Sequence, residues 1–554
     1  MGAAESSLFC PDITSRKILF LLLASSGRLW YVYNHRLILV RGGRMYSNVY
    51  GADVYGMDAR VIRIEADVSD GLPVFDMVGF LASAVKEARE RVRIAVRNMG
   101  IRFPAKRITI NLSPANLRKE GTSFDLPIAI SLLSAFGHLS DDLTRDTMLI
   151  GELGLDGSVR GVRGVLAMIL EGRKQGIRRF IVPGENASEG AVLEDVKVFG
   201  VGSLYEVMGF LRGEICLSPE TLSFAAFCGR DSGEPDFSEV NGNVHLKRAA
   251  EIAVSGRHNL LMIGPPGSGK TMLAKRIPAI MPEMDLQESL EVTRLYSIRG
   301  MLSPEMPVVV RRPFRAPHHT VTAAALTGGG RIPMPGEISL ASKGVLFLDE
   351  LTEFARGTLE VLRQPLEEQK VTVSRVGYSE EYPSDCMFVA AMNPCHCGYY
   401  PDRDKCRCTL SEIHRYLGKV SEPLLDRMDI CVETGAPEFH LYEESAESSA
   451  QIRERVQRTT DIQKKRYQKE DFSYNSQLPQ KTLAKYCPLA KSEKEYLEDF
   501  FRAEACSARK IARILKVART IADMEGSEQI QAPHITEAVC LRSIDRKYWG
   551  GELR

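Results

Sequence analysis

The chain runs to 554 residues, 44% hydrophobic and 26% charged, with a formal net charge of +1. That length exceeds what one hydrophobic core supports, so about three domains are expected, and the composition is that of a globular protein. The near-neutral balance excludes a global basic field for nucleic acid, so any such contact must be local, in a groove or pore. Twelve cysteines in so long a chain exclude a disulfide scaffold, and their clustering at 395–408 points to metal or packing in a reducing compartment.

In chain order, residues 1–44 come first and fit least well. "RKILFLLLASSGRLWYVY" superficially reads as a signal peptide. Its apolar run is too short to span a bilayer, so no stable membrane insertion is expected. The favoured reading is an extension ahead of a true start at Met45. "VRGGR", just before that methionine, is what the AGG/GGA codons of a ribosome-binding site would encode if translated. An amphipathic anchor is a third reading. The nucleotide motifs further on need ATP, which places the chain in the cytoplasm.

From Met45 to about Leu217, runs such as "DARVIRIEADV" and "RITINLSP" alternate with helical patterns such as "SAVKEARERVRIAVRNMG" and "DLPIAISLLSAFG", an α/β or α+β signature. Residues 218–240 lose periodicity and collect Ser, Gly, Pro and acids, as a linker does. Residues 241–437 read as a second α/β unit, and 438–554 as a charged helical region. There is no internal repeat.

"NLLMIGPPGSGKTMLAKRI" is a buried-strand pattern, then Gly264, Pro265, Pro266, Gly267, Ser268, Gly269, Lys270 and Thr271, then a helix. This is the P-loop in the strand-before, helix-after context it requires. Its backbone N–H groups wrap phosphates at a helix N-terminus. Lys270 is expected to reach the β/γ-phosphates and Thr271 to hold Mg²⁺. In "KGVLFLDELTEF" a buried strand delivers Asp349 and Glu350 at its C-terminal end, where α/β sheets bind ligands. Asp349 suits the Mg²⁺ shell, and Glu350 suits the base that orients or deprotonates water. A third strand, "CMFVAAMNP", ends in Asn393, a neutral amide able to position water without adding negative charge. Together these predict ATP hydrolysis. Directly behind Asn393, Cys395, Cys397, Cys406 and Cys408 form two C-x-C pairs. Four thiolates suffice for a structural zinc, although C-x₂-C is the commoner spacing, and packed free thiols are the other reading.

The P-loop, "LFLDE", "MNP" and "EPLLDRMDI", in that order, resemble the AAA+ ATPases. The longer stretches "DFSEVNGNVHLKRAAEIAVSGRHNLLMIGPPGSGKTML", "RAPHHT", "PGEISLASKGVLFLDELTEF" and "LKVARTIADMEG" resemble the magnesium-chelatase-like YifB/ComM group, from about Met45 to the C-terminus. The resemblance implies that Arg427 is an arginine finger given to a neighbouring subunit, and therefore a ring, most simply a homo-hexamer. It also implies that Arg509 is the sensor-2 arginine of a helical lid, turned towards the nucleotide. The other basic residues of that helix, Arg513 and Lys516, read as a solvated face. A β-hairpin pattern within 365–392 would, in this clade, line the central pore. Arg375 and Tyr378 would there meet a nucleic-acid backbone and base; an ordinary hairpin with a solvated Arg is the alternative. "RRPFRAPHHT" could also face DNA. His318 and His319, adjacent in an extended segment, are expected to point to opposite sides and to fix the loop.

In the amino-terminal unit, "RKEGTSFDLPIAISLL" and "GELGLDGSVRGVRGVLAMILEGRKQGI" resemble the proteolytic domain of Lon. Ser123 falls at that family's nucleophile, but the position of the activating lysine holds Leu166. A Lon-like α+β domain with the protease lost is implied, leaving Ser123 and Asp125 structural or part of a DNA-facing or ring-stacking surface. The fold expected is thus α/β: this domain at 45–217, a P-loop AAA+ core at 241–437 and a helical lid at 438–554.

Two functions from different classes follow. The first is a DNA motor promoting branch migration in recombination or natural transformation, with branched or single-stranded DNA and recombination proteins as partners. The second is a chelatase- or chaperone-like ATPase remodelling a protein; against it, no acidic-proline linker leads to an integrin-like metal-binding domain.

Overall fold

A computed structural model describes residues 20–21, 29–33, 36–40, 45–228, 235–240, 242–375, 378–435, 447–504, 507–542 and 544–549. Most of the stretch on which the reading of the start rests lies outside these. Its described pieces, Phe20–Leu21, Leu29–Tyr33 and Arg36–Val40, pair antiparallel in a sheet of their own.

The amino-terminal unit is built on a seven-stranded mixed sheet. Its spine is the hairpin Met45–Tyr55 and Asp58–Ser69, turned at Gly56, whose φ of 58° favours glycine. Along Asp58–Ser69, Ile62, Ile64, Ala66 and Val68 are buried, the period of two that puts alternate side chains on one face. Arg107–Ser113 and Val74–Val78 extend the sheet on one side. Thr147–Leu149, Arg179–Pro183 and Lys197–Val201 extend it in parallel on the other. Helix Ser83–Asn98 buries Val85, Ala88, Val92, Ala95 and Val96, a stripe at helical spacing. Helix Asp125–Ala135 is buried along its whole length, as its largely apolar sequence requires, with Asp125, Ser131 and Ser134 buried among the apolar residues.

The second unit holds a five-stranded sheet in the order Phe314–Arg315, Val345–Leu348, Met387–Met392, Leu260–Ile263 and Ile430–Glu433, every neighbour parallel. The three central strands are fully buried, which explains why they read as unbroken apolar runs rather than alternating ones. Because the strands run parallel, the segments after Ile263, Leu348, Met392 and Glu433 emerge along one edge. That edge carries the polar residues.

Carboxy-terminal helices Ser449–Arg466 and Ala508–Met524 pack against Val244–Gly256, and the first also against Lys270–Ile280. A buried network of Arg466, Arg519, Asp523 and Asn475 ties them together. In the stretch read as a linker, helix Phe224–Cys228 forms, and Phe237 and Val240 are buried in the core under the five-stranded sheet. The two α/β units touch directly. Met57 enters the core of the second unit, and Ser297 Oγ donates to buried Glu189 Oε2 at 2.6 Å. Among the described residues, no helix is long and apolar enough to cross a membrane.

Candidate functional site

The loop after Ile263 is shaped by glycines at the positions that need them. Gly267 and Gly269 have φ of 75° and 85°, and Gly269 caps helix Lys270–Ile280. Gly264 is required for space: a Cβ there would overlap Thr434, whose Oγ1 lies 2.7 Å from Ser268 Oγ. Lys270 Nζ donates to the carbonyls of Gly264 and Pro265 at 2.8 Å each, to Ser268 Oγ at 3.2 Å and to Asn393 Oδ1 at 3.4 Å. Burial brings this lysine down to about 8, with Asp349 opposing the shift. Two motifs read separately in the sequence, the P-loop and the Asn393 strand end, therefore meet at one point. The ammonium lies among the loop it serves, beside the amide from the next strand.

Thr271 Oγ1 donates to Asp349 Oδ2 at 2.6 Å, which sets side by side the hydroxyl and carboxylate that a hard divalent cation takes. Both are oxygen donors at the N-terminus of a helix, next to a phosphate cradle, and they fit Mg²⁺. Held by Thr271 and Asp349, Mg²⁺ would neutralise the negative charge of the bound phosphates.

Glu350 follows immediately, in the left-handed region at φ 51°. A non-glycine residue there stores roughly 1–2 kcal/mol, and such strain persists only where the surroundings over-determine it. The conformation turns the carboxylate out, with the side chain 60% exposed and Oε2 3.6 Å from His319 Nδ1. A water nucleophile could be reached from this position.

The adjacent histidines do not point to opposite sides as expected. Their rings lie 4.0 Å apart, because the segment turns instead of continuing as a strand. His318 Nδ1 meets Thr320 Oγ1 at 2.9 Å, fixing the loop, whereas His319 faces Glu350. The His319–Glu350 contact, Thr434 and the contact of Gly398 with Pro266 are the features of this edge that sequence reading missed. Only "RAPHHT" had hinted at the first.

Arg427 lies at the other edge of the sheet. It precedes Ile430, which pairs with Leu260 at the start of the P-loop strand, and its carbonyl accepts from Asn259 Nδ2 at 2.9 Å. Its guanidinium bonds the Pro423 carbonyl at 2.7 Å and Glu367. Arg509 lines the same cavity of about 380 Å³, with Arg257, Asp429 and Arg513. None of Lys270, Thr271, Asp349, Glu350 and Asn393 borders it. Arg509 is thus not turned towards the P-loop of its own chain.

Nor is the rest of that helix face solvated. Arg513 Nη1 meets Asp429 Oδ1 at 2.6 Å, and Lys516 Nζ donates to Ser476 O at 2.9 Å. Burial would raise the Asp429 carboxyl, but the charges of Arg513, His258 and Lys516 overcome it and hold the group far below the usual carboxylate range.

The expected hairpin is present. Lys370–Arg375 pairs antiparallel with Tyr378–Pro383, and Arg375 stands opposite Tyr378 next to the tip. Arg375 is exposed and bonds only the carbonyl of Ser374, at 2.9 Å, among the described contacts. Cys395, Cys397, Cys406 and Cys408 gather their sulfur atoms within 4.8 Å of one another. In the amino-terminal unit, Ser123 is buried and donates to Ala52 O at 3.0 Å, and Leu166 is buried in the core. Asp125 is held by Arg91 through bonds of 2.6 and 2.9 Å.

Three family models cover most of the chain: "Subunit ChlI of Mg-chelatase" over residues 64–186, "Magnesium chelatase, subunit ChlI" over 236–441, and "Magnesium chelatase, subunit ChlI C-terminal" over 446–542. The competence protein ComM of Haemophilus influenzae is 41% identical over 505 residues, which is 90% of this chain and 97% of the relative. YifB of Salmonella typhimurium is 42% identical over 494 residues, covering 89% and 96%. YifB of Escherichia coli is 41% identical over 503, covering 90% and 97%. The chain belongs to the magnesium-chelatase-like ComM/YifB family. For a ComM/YifB protein, a parallel sheet with a P-loop at one edge is the α/β architecture of an AAA+ ATPase, and ATP with Mg²⁺ is the ligand pair that family implies.

Proposed function

We propose that this chain is an ATP-driven motor that assembles as a homo-hexameric ring in the cytoplasm. It acts on branched or single-stranded DNA to promote branch migration in recombination or natural transformation, alongside recombination proteins. One observation carries the ring: the finger arginine and the P-loop sit at opposite ends of the same parallel sheet. A four-residue strand spans about 13 Å, beyond the reach of a guanidinium to its own γ-phosphate. Arg427 and Arg509 serve a nucleotide only if it belongs to the neighbouring subunit, where a guanidinium fork neutralises charge developing on the γ-phosphoryl oxygens.

Within one site, Lys270 and the loop N–H groups bind the phosphates, Thr271 and Asp349 hold the metal, Glu350 orients water and accepts its proton, and Asn393 positions that water. The hairpin carrying Arg375 and Tyr378 faces the central pore in this reading. The amino-terminal unit is a Lon-like domain with its serine retired to a structural bond. DNA as the track is supported by kinship with a protein named for competence. The ChlI-type family models favour a second reading, an ATPase that remodels a protein partner.

The test is ATPase and branch-migration activity on forked and four-way-junction DNA. Stimulation by DNA, lost in Lys270→Ala and Glu350→Gln, is expected. Mixing inactive Lys270→Ala chains with inactive Arg427→Ala chains should restore turnover, because some interfaces then pair an intact loop with an intact finger. No recovery overturns the shared site. If no DNA alters either activity, the DNA motor is wrong and a protein client takes its place.

A further inference from the structure

From Asn393 to Thr409 the chain forms neither helix nor strand, yet it runs beside the nucleotide loop. Structureless loops beyond about 12–15 residues are uncommon in compact domains and need something to hold them. This one turns its four cysteines towards a common centre. Sγ of Cys395 lies 3.3 Å from Cys397 and 3.7 Å from Cys406, Cys397 lies 3.5 Å from Cys406, and Cys408 completes the group. A tetrahedral ion with four Zn–S bonds of about 2.3 Å sets its sulfurs about 3.8 Å apart. A disulfide would instead bring two sulfurs to about 2.05 Å and leave the others aside. The Tyr400 amide donates to Cys395 Sγ at 3.4 Å, the kind of outer bond that orients a metal ligand.

The same loop touches the nucleotide machinery. Gly398, at φ 84°, lies so close to Pro266 that a Cβ there would overlap the proline ring. Its amide bonds the Cys395 carbonyl at 3.0 Å, so the wall against the P-loop is one bond from a cysteine ligand. The other side is pinned by His396 against Tyr416, ring centroids 4.5 Å apart, and by Tyr400 against Tyr548 at 6.1 Å.

We propose that Cys395, Cys397, Cys406 and Cys408 bind one tetrahedral zinc ion, and that this knuckle braces the P-loop through the contact of Gly398 with Pro266. Each thiol that ligates gives up its proton to solvent, and no redox change occurs. The bracing half rests on the ATPase reading; the metal half does not.

The experiment uses the full chain, purified without an affinity tag and under thiol reductant. Elemental analysis should return one zinc per chain, falling below a tenth in Cys406→Ser/Cys408→Ser and staying at one in Cys216→Ser. Cobalt substituted for zinc should give the visible bands of a tetrahedral thiolate site. Circular dichroism confirms that each variant is folded. Absence of zinc with all four thiols open to titration, or a disulfide among them, overturns the site. For the brace, Gly398→Ala should keep its zinc and raise the KM for ATP several-fold with a smaller change in kcat. Unchanged KM in both Gly398→Ala and the double serine variant overturns the brace while leaving the metal site standing.

Discussion

Ser123 and Asp125 in the amino-terminal unit, and Asp349 and Glu350 in the second, all lie at or just before the start of a helix or helical turn. Their fates differ. The Asp125 side chain is fully buried and bidentate with Arg91, while Ser123 is spent on a main-chain carbonyl of the sheet beneath it. Asp53 is also buried, accepting from the amides of Val54 and Glu120 at 2.9 and 2.8 Å. Glu350, by contrast, is strained outward into open space, and Thr271, Asp349, Lys270 and Asn393 cluster around a loop of backbone donors. Polar atoms whose bonding is complete inside the protein hold a fold. Polar atoms left facing space can meet a substrate. A motif match alone does not separate the two.

That contrast breaks most easily at the open edge. Glu350→Gln should lower kcat for ATP hydrolysis by about 10²–10⁴-fold with little loss of stability, the scale of a missing general base; near-normal turnover would place the base elsewhere. In the amino-terminal unit the effects should be on stability. Arg91→Ala strips buried Asp125 of its partner and should destabilise the unit by roughly 3 kcal/mol in urea denaturation, with turnover per folded chain preserved.

Asp53 sharpens the contrast through pH. Burial raises its carboxyl to about 7 against an ordinary 3.8. The folded chain keeps this proton where the unfolded chain has released it, so this group's contribution to stability falls as pH rises from about 4 to 7. Between pH 5 and pH 8, Asp53→Asn should therefore gain about 2–3 kcal/mol relative to the parent chain, read as diverging melting curves. Smallest of all, Ser123→Ala should shift stability by about 1 kcal/mol and leave ATPase activity untouched. A large loss of activity there would mean that the serine has not been retired.

The nucleotide edge was legible because its chemistry is local in sequence. Gly264 to Thr271 carry their own turn and helix start, and the strands before Asp349 and Asn393 are apolar enough to be recognised as buried. What stayed hidden depends on contacts between distant segments. Thr434 enforces Gly264 from the end of the neighbouring strand, far along the chain, and no spacing announces that pair. The histidines were misread because a strand-like alternation was assumed where the backbone turns. Arg513 and Lys516 looked solvated because helical periodicity shows a face but not the neighbour, Asp429 or Ser476, that covers it. The cavity that Arg509 lines was hidden for the same reason: its helix was evident, while the neighbours Asp429 and Arg513 at that end of the sheet were not.

The turn at Gly56 carries a mechanical implication. Glu380, in the returning strand of the hairpin, lies over Gly56 so closely that any side chain there would overlap its carboxylate end, and neighbouring Met57 is embedded in the core of the second unit. Hairpin and amino-terminal turn are thus meshed like two gear teeth. A displacement of the hairpin would therefore press on the amino-terminal turn, and a shift of that turn would be felt at the hairpin.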